Sequence, residues 1–386
     1  MEQIVIIGGG GTGAALAHDL TLRGFKVSLF EKGELLSGTT GRHHGLLHSG
    51  ARYAVHDPAA ARECITENRI LRQITSDAIE PNGGLFVAID DTDMAYKEVF
   101  LESCNACGIP AKVLSPETAS AIEPALNQDL RLAVQVPDAT MDAWRLPLQF
   151  FATAKANGAQ IHRYSEVIDI QTRSGNVSGV RILDHQTHRE YDVPADVAVI
   201  AAGTWAGKIA QMADIQVPVQ PGPGVMVAVN ARLTHMVINR LQPAGQGDII
   251  VSQRNLSILG TSLWLADDPD ITDFPQDHIR KMIHLCATMV PVVKDTPVHS
   301  AWLAARPLIA NADADYPQMI SRTFECYDHG IRDNIEGLVS IIGGKATTMR
   351  AMAEKTADLI CRKLGKDIPC KTKKTKLLHY RHFYKT

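Results

Sequence analysis

Gly8, Gly10 and Gly13 stand in the spacing Gly-x-Gly-x-x-Gly, and Glu31 follows about 18 residues after the last of them. Together these residues could bind a dinucleotide. The first glycine makes a tight turn, the second lets a pyrophosphate approach the backbone, and the third lets a helix pack closely on a strand. A carboxylate at position 31 accepts hydrogen bonds from two ribose hydroxyls and repels a 2′-phosphate. The elements that must hold these groups are legible around them. Residues 4–7 are a continuous apolar, β-branched run, as in a parallel strand buried on both faces. A helix is expected over 14–23, stopped at Gly24, and a second strand over 26–30. The helix N-terminus would turn free N–H groups and a partial positive charge toward the phosphates. This unit fits NAD and FAD alike.

The next stretch, residues 33–53, holds five glycines, three histidines and two arginines. A loop so rich in small and polar residues is built to lie against something flat and polar, with Leu46 and Leu47 anchoring it inside. Its second half reads Gly-Arg-His-His-Gly-Leu-Leu-His-Ser-Gly-Ala-Arg-Tyr over 41–53. That run resembles the flavin-contacting segment of FAD-dependent glycerol-3-phosphate dehydrogenases, above all their anaerobic A subunits. These belong to the D-amino-acid-oxidase-like FAD oxidoreductases.

The resemblance covers nearly the whole chain and implies FAD rather than NAD. It implies an α/β plus α+β fold, a Rossmann-type FAD-binding domain with an interleaved antiparallel-sheet substrate domain. It places His48, Ser49 and Gly50 beside the isoalloxazine and Arg52 and Tyr53 in the substrate pocket. The cofactor contacts it implies are Gly8, Gly10, Thr12, Gly13, Glu31, Lys32, Thr39, Thr40, Arg42, His44, Gly45, Leu47, His48, Val167, Ala202, Gly203, Trp205, Gly343, Gly344, Lys345, Ala346 and Thr347. The catalytic set it implies is His48, Arg52, Tyr53, Arg306, Arg322 and Lys345. Arg306 lies in an Arg-Pro-Leu segment and Arg322 in Ile-Ser-Arg. Lys345 follows Gly343-Gly344, ahead of the last long helix. The chain departs from the family at three places. Pro223-Gly224-Val225 stands for Lys-Gly-Ser, Leu303-Ala304-Ala305 replaces Ser-Gly-x before Arg306, and Met349 replaces a Tyr.

At 386 residues, 45% hydrophobic, 21% charged and net charge -3, the composition is that of an ordinary globular chain of two domains. Nothing points to nucleic acid, and no apolar run would span a bilayer. The first strand begins at once, leaving no room for a secretory signal. Seven scattered cysteines suit a reducing cytoplasm. Cys104 and Cys107 have C-x-x-C spacing, but no second pair or histidine completes a metal site, so they read as two small helix residues and no metal is expected. The expected FAD-binding domain is discontinuous, over 1–80, 143–212 and 330–365, with the substrate domain over 81–142 and 213–329. Residues 366–386 form a basic tail, six Lys or Arg and no acid from Lys371 onward. Such a tail is solvated, or touches anionic lipid or a partner at the inner face of a membrane. Two strand expectations matter below: a single strand over 161–172, and a strand over 217–229 confined to an edge or broken by Pro218, Pro221 and Pro223.

Convergent guanidinium groups bind phosphate or carboxylate, and four cations are costly to gather without an anion. Arg52, Arg306, Arg322 and Lys345 thus predict a small anionic hydroxy substrate, oriented for hydride transfer to the flavin N5 while a base takes the hydroxyl proton. His48 is one candidate base. The expected reaction is oxidation of sn-glycerol 3-phosphate to dihydroxyacetone phosphate. The alternatives are a 2-hydroxy acid of the 2-hydroxyglutarate type, another polyol phosphate, a flavin-binding relay subunit without catalysis, or an NAD dehydrogenase. The electrons would go to a partner subunit, to oxygen or to a quinone.

Overall fold

The computed structural model describes residues 2–75, 77–245, 247–310 and 320–385. Every side chain from Ile4 to Ile7 is buried, because the strand Gln3–Ile7 has neighbours on both faces. Side chains alternate, so Ile4 and Ile6 pack on one face and Val5 and Ile7 on the other. On the first face lie the helices Gly11–Leu22, Arg145–Ala156 and Met349–Lys363. On the second lies an antiparallel sheet of Ser165–Arg173, Asn176–Asp184 and Arg189–Pro194. The central sheet runs in the order Phe324–Asp328, Leu338–Gly343, Val197–Ile200, Gln3–Ile7, Lys26–Phe30, Gln160–His162. All its pairs are parallel except the first. The single strand expected over 161–172 is corrected to two. Tyr164, at φ 55, turns the chain out of the parallel sheet between them.

A second sheet of eight strands runs from Val298–Ile309 through Val219–Val229, Leu256–Leu259, Ile249–Gln253, Val237–Arg240, Gly84–Ala88 and Leu132–Val136 to Lys112–Leu114. It is antiparallel except where Val237–Arg240 pairs with Gly84–Ala88. The helix Gln276–Met289 covers part of it with Met282, Cys286 and Met289.

The strand Val219–Val229 is unbroken and lies between two neighbours, correcting the expectation of an edge or a break. The reason is directional. The carbonyls of Pro221, Pro223 and Val225 accept from Ala266, Trp264 and Ser262, so the odd positions face the 262–266 segment. On that side regular pairing covers only 227–229, and no ladder donor is needed from Pro221 or Pro223. The even positions face Val298–Ile309, which pairs along the whole length.

The helix Asp91–Ala106 carries Cys104 into a cluster with Phe86 and Phe100, and Cys107 caps its end. Both thiols are free and buried, and burial pushes that of Cys104 up to about 12. The basic C-terminal segment folds back on the body. Leu377 and Phe383 are buried, Leu377 N–H donates to the Ile74 carbonyl, and Lys155 Nζ donates to the carbonyls of Phe383 and Lys385. Tyr384 stays 64% exposed. Among the described residues no helix is long and apolar enough to cross a membrane.

One buried group gives this fold a pH dependence. His18 is 0% exposed in the first helix, with neither ring nitrogen partnered among the described residues and its ring 5.6 Å from that of Phe150. Burial holds its pKa down to about 4. The unfolded chain therefore takes up a proton near pH 6.5 that the folded chain refuses. Stability present above pH 6.5 is lost as pH falls toward 4, by up to about 3 kcal/mol. His18→Leu is expected to narrow the gap in thermal midpoint between pH 7 and pH 5, read by calorimetry; an unchanged gap refutes it.

Candidate active site

The two sheets meet over a cleft of about 860 Å³, a size suited to a cofactor with its substrate. At one end the first strand turns into the first helix. Gly8 has φ 114, and a Cβ there would lie 2.7 Å from the Ala201 carbonyl oxygen. A Cβ at Gly13 would lie 2.1 Å from the Gly8 carbonyl oxygen, so helix and strand touch backbone to backbone. Glu31 is held in place by the N–H groups of Gly9 and Gly33, at 2.7 and 2.9 Å. Thr40 Oγ1 accepts from the Gly11 N–H at 2.9 Å. Opposite, Lys32 sits over the Trp205 ring at 5.3 Å, and Trp205 Nε1–H donates to Asp270.

The 38–42 segment is fastened by three of the four tryptophans. The Trp205 ring lies 3.2 Å from where a Gly38 Cβ would be. Trp144 Nε1–H donates to the Gly41 carbonyl at 3.1 Å, and Trp302 Nε1–H to that of Arg42 at 2.7 Å. Thr39 donates to the Ala305 carbonyl, tying this segment to the strand that carries Arg306. Trp144 and Trp302 were missed from sequence: Trp144 adjoins no motif, and Trp302, just before the Arg306 segment, gives no local sign of its partner 260 residues away.

Midway along the cleft, the His48 N–H donates to Thr347 Oγ1 at 3.0 Å, joining the glycine-rich loop to the turn before the last helix. The Ser49 N–H donates to the buried Asp138 at 2.6 Å, and Asn68 donates to the carbonyls of Leu47 and His48. Burial, then His44, Lys345 and Arg52, holds the His48 pKa well below its usual value. Burial, then His43, Arg306 and Arg52, pushes that of His44 down to about 3. Both rings are neutral at pH 7. Because the His48 pKa is depressed, acid should protonate it only far below pH 6.5. The expected pH profile of kcat/KM therefore has no histidine inflection between pH 6 and 8. A limb centred near 6.5 that disappears in His48→Gln would contradict this.

At the other end the four cations come together. Arg52, Arg306, Arg322 and Lys345 all line the cleft, with Tyr53 among them. Their partners differ. Arg52 is ion-paired to Asp248 and donates to Asn239 at 3.1 Å; burial opposes its charge, but Asp248 raises its pKa overall. Lys345 donates to the Arg322 carbonyl and lies 5.3 Å from the Tyr53 ring centroid. Among the described residues Arg306 donates only to neutral groups, the carbonyls of Gly222 and Ser262 and the hydroxyl of Thr261. Burial, then Arg322, with Arg52 adding, pushes its pKa down to about 9. Arg322 Nη1 is buried with no partner among the described residues, and burial lowers the pKa of its guanidinium too. Two partly desolvated guanidinium groups that hydrogen-bond to no carboxylate among the described residues form a site that an anion would stabilise.

Of the expected cofactor contacts, Gly8, Gly10, Thr12, Glu31, Lys32, Thr39, Thr40, Arg42, His44, His48, Val167, Ala202, Gly203, Trp205, Gly343, Gly344, Lys345 and Ala346 line the cleft. Gly13, Gly45, Leu47 and Thr347 do not line it, and the structure shows them in supporting contacts. Gly13 meets Gly8, and Gly45 leaves room for Gln253, whose Nε2 would lie 1.7 Å from a Cβ there. Leu47 and Thr347 are 0% exposed. His56, Asp57, Thr261 and Met349 line the cleft without having been expected.

A glycine turn at a helix N-terminus, an acid at the end of the second strand and a long cleft between two sheets are what an extended dinucleotide requires. A side chain at Gly8 would strike the backbone of Ala201, so this cradle admits only glycine. The profile of the family "FAD dependent oxidoreductase" matches residues 3–359. The chain belongs to this family. Its cofactor is FAD. This FAD-dependent oxidoreductase is 43% identical over 384 residues to the A1 subunit of the anaerobic glycerol-3-phosphate dehydrogenase of Haloferax volcanii, covering 96% of this chain and 65% of the relative. It is 39% identical over 373 residues to the corresponding subunit of the anaerobic glycerol-3-phosphate dehydrogenase of Escherichia coli K12, covering 96% and 69%. The chain thus spans about two thirds of the length of these relatives. Among solved structures, the glycerol-3-phosphate dehydrogenase of Bacillus halodurans complexed with FAD superposes with a TM-score of 0.71 at 22% identity. It covers 98% of this chain and 68% of that one. At that identity the likeness speaks for the fold.

Proposed function

We propose that this oxidoreductase converts sn-glycerol 3-phosphate to dihydroxyacetone phosphate. The observation that carries the reading is the pair of half-buried guanidinium groups, Arg306 and Arg322, that hydrogen-bond to no carboxylate among the described residues, in the same cleft as the dinucleotide-binding turn. Arg306 and Arg322 clamp the phosphate, and Lys345 adds a third charge beside them. This fixes the secondary alcohol at a set distance along the cleft. Neutral His48 accepts the hydroxyl proton at a ring nitrogen, since its imidazole is unprotonated at working pH. FAD, when bound, supplies the hydride acceptor. Gly8, Gly10, Thr12, Glu31 and Thr40 would hold its ADP half, and His44, His48, Gly343, Gly344 and Ala346 its ring. The name carried by the two curated relatives supports the substrate.

The Pro-Gly-Val at 223–225 keeps a second reading in play. Pro223 and Val225 stand where the family carries a lysine and a serine, so a basic and a hydroxyl side chain are missing there. A guanidinium such as that of Arg306 suits the distal carboxylate of a 2-hydroxy diacid as well as a phosphate. Residues 1–80, 143–212 and 330–365 are proposed as the FAD-binding part, and 81–142 and 213–329 as the substrate part. The strands of the eight-stranded sheet all fall in the second group, which supports the division. Phe324–Asp328 joins the other sheet, so the last boundary is better drawn before it. Electrons are proposed to leave to a quinone or to a partner protein, the latter because both relatives are named as parts of a larger enzyme. A cytoplasmic site, peripheral to the membrane, is proposed with it.

Anaerobic titration of the yellow holoprotein tests the reading. Glycerol 3-phosphate should bleach the flavin absorbance near 450 nm (a value on the order of that for any flavin). Bleaching by 2-hydroxyglutarate alone moves the assignment to the second reading. Absence of bleaching by either leaves the non-catalytic electron relay.

A further inference from the structure

Asp57 is the N-cap of the helix Pro58–Ile74, with Oδ1 accepting from the Ala60 N–H at 3.1 Å. A cap needs one carboxylate oxygen. The other, Oδ2, accepts from the Arg322 N–H and from Ser321 Oγ–H, both at 2.9 Å, across 265 and 264 residues of chain. The Arg322 carbonyl in turn accepts from Lys345 Nζ. The backbone of this one arginine is therefore gripped on both sides by charged side chains, an anion at its N–H and a cation at its C=O. The grip closes on the rest of the substrate end. The Asp57 N–H donates to the Tyr53 carbonyl at 2.8 Å, and Lys345 lies over the Tyr53 ring. Asp57 makes no ion pair with the guanidinium of Arg322 among the described residues, whose Nη1 is buried and unpartnered. It hydrogen-bonds to the backbone, and its charge reaches the guanidinium only through space, favouring the charged form against burial and leaving Nη1 without a partner among the described residues. A side chain that neutralised Arg322 would defeat anion binding; one that fixes only its peptide preserves it.

We infer that Asp57 is a positioning residue for the substrate's anionic group, setting Arg322 through its backbone while capping the helix that follows Arg52 and Tyr53. The inference rests on the anionic-substrate reading above. It adds that one carboxylate, outside the catalytic set, fixes where the anion binds.

The test uses Asp57→Ser in the holoprotein. Serine caps a helix about as well as aspartate, so the helix start is kept, but its single short hydroxyl cannot also reach 321–322. The expected result is a rise of about tenfold in KM for glycerol 3-phosphate, with kcat within about threefold of wild type. Titration with inorganic phosphate, followed by the shift it causes in the flavin spectrum, should show the same loss of affinity. Ser321→Ala, which leaves the helix untouched, should give a smaller loss in the same direction. In the double variant Asp57→Ser/Arg322→Ala, affinity should be no lower than in Arg322→Ala alone, because Asp57 acts through Arg322. Were Asp57 only the helix cap, serine would keep that role and phosphate affinity would not change; losses that add in the double variant would mean that Asp57 acts by a route other than Arg322. Unchanged phosphate affinity in Asp57→Ser, or additive losses in the double variant, overturns the inference. Phosphate binding is measured without turnover. Failure of wild type to oxidise glycerol 3-phosphate therefore condemns the substrate assignment and leaves the role of Asp57 to be judged on phosphate.

Discussion

Arg306→Met is expected to lower kcat/KM for glycerol 3-phosphate by roughly 10²- to 10³-fold while leaving thermal stability within about 1 kcal/mol of wild type. The rate loss follows from removing one member of a desolvated charge pair with the substrate, which costs about 2–5 kcal/mol at roughly 1.4 kcal/mol per tenfold. The stability forecast comes from the unliganded site. Arg306 is half-buried, donates to two carbonyls and a hydroxyl, and has Arg322 and Arg52 beside it. Its charge is a burden until the anion arrives, and an apolar side chain of similar length removes that burden. Arg350 makes the contrast. It is 1% exposed and ion-paired to Glu67 and Glu354, at 2.6 and 2.7 Å, and Thr372 accepts a further bond at 2.9 Å. Arg350→Met should cost about 3–5 kcal/mol, because it strands Glu67 in the interior. Steady-state kinetics and calorimetry on the two variants should separate them. Equal loss of stability in both, or an unchanged kcat/KM in Arg306→Met, would refute the clamp.

That contrast marks the limit of what the chain discloses on its own. The dinucleotide unit was legible because its parts are neighbours. Ile4–Ile7, the glycines, the helix and Glu31 lie within about 30 residues, and local spacing fixes their geometry. The substrate end was legible only as residue identities carried by family motifs. Nothing near Arg52 in sequence says that Asp248 neutralises it, and nothing near Arg306 says that its acceptors among the described residues are all neutral. Asp57 reads locally as a helix cap, which it is, and its second task needs a partner 265 residues away. The hydrogen bonds of Trp144 and Trp302 to 41–42 are silent for the same reason. The proline strand failed differently. Its sequence shows three missing donors, but whether a missing donor matters depends on which neighbour the position faces, and that is decided by the sheet.

The third glycine of the motif offers the most severe test of the cofactor end. Gly13→Ala adds one carbon, and that carbon would sit 2.1 Å from the Gly8 carbonyl oxygen and 3.3 Å from Gly8 C and Leu29 Cδ1. The oxygen belongs to backbone at the turn itself, so no side-chain rotation can relieve the contact. The helix must lift away from the strand, by something on the order of 1 Å to restore ordinary contact. Lifting it carries the N–H groups at its start away from where the pyrophosphate must sit, and also opens the layer packed by Ala14, Ala17 and Leu20. Gly13 does not line the cleft, so any loss of flavin must come from this displacement and not from a blocked site. Gly24→Ala is the matched control. Gly24 ends the same helix with φ 86, and a Cβ there meets nothing within 4 Å, so the cost is conformational, about 1 kcal/mol. Gly13→Ala is expected to purify colourless, with the ratio of visible to ultraviolet absorbance near zero and a thermal midpoint that no longer rises with added FAD. Gly24→Ala should stay yellow and lose only a few degrees, roughly 2–4 °C per kcal/mol for a chain of this size or smaller. A fully flavinylated, equally stable Gly13→Ala protein would mean that this helix does not rest on that strand.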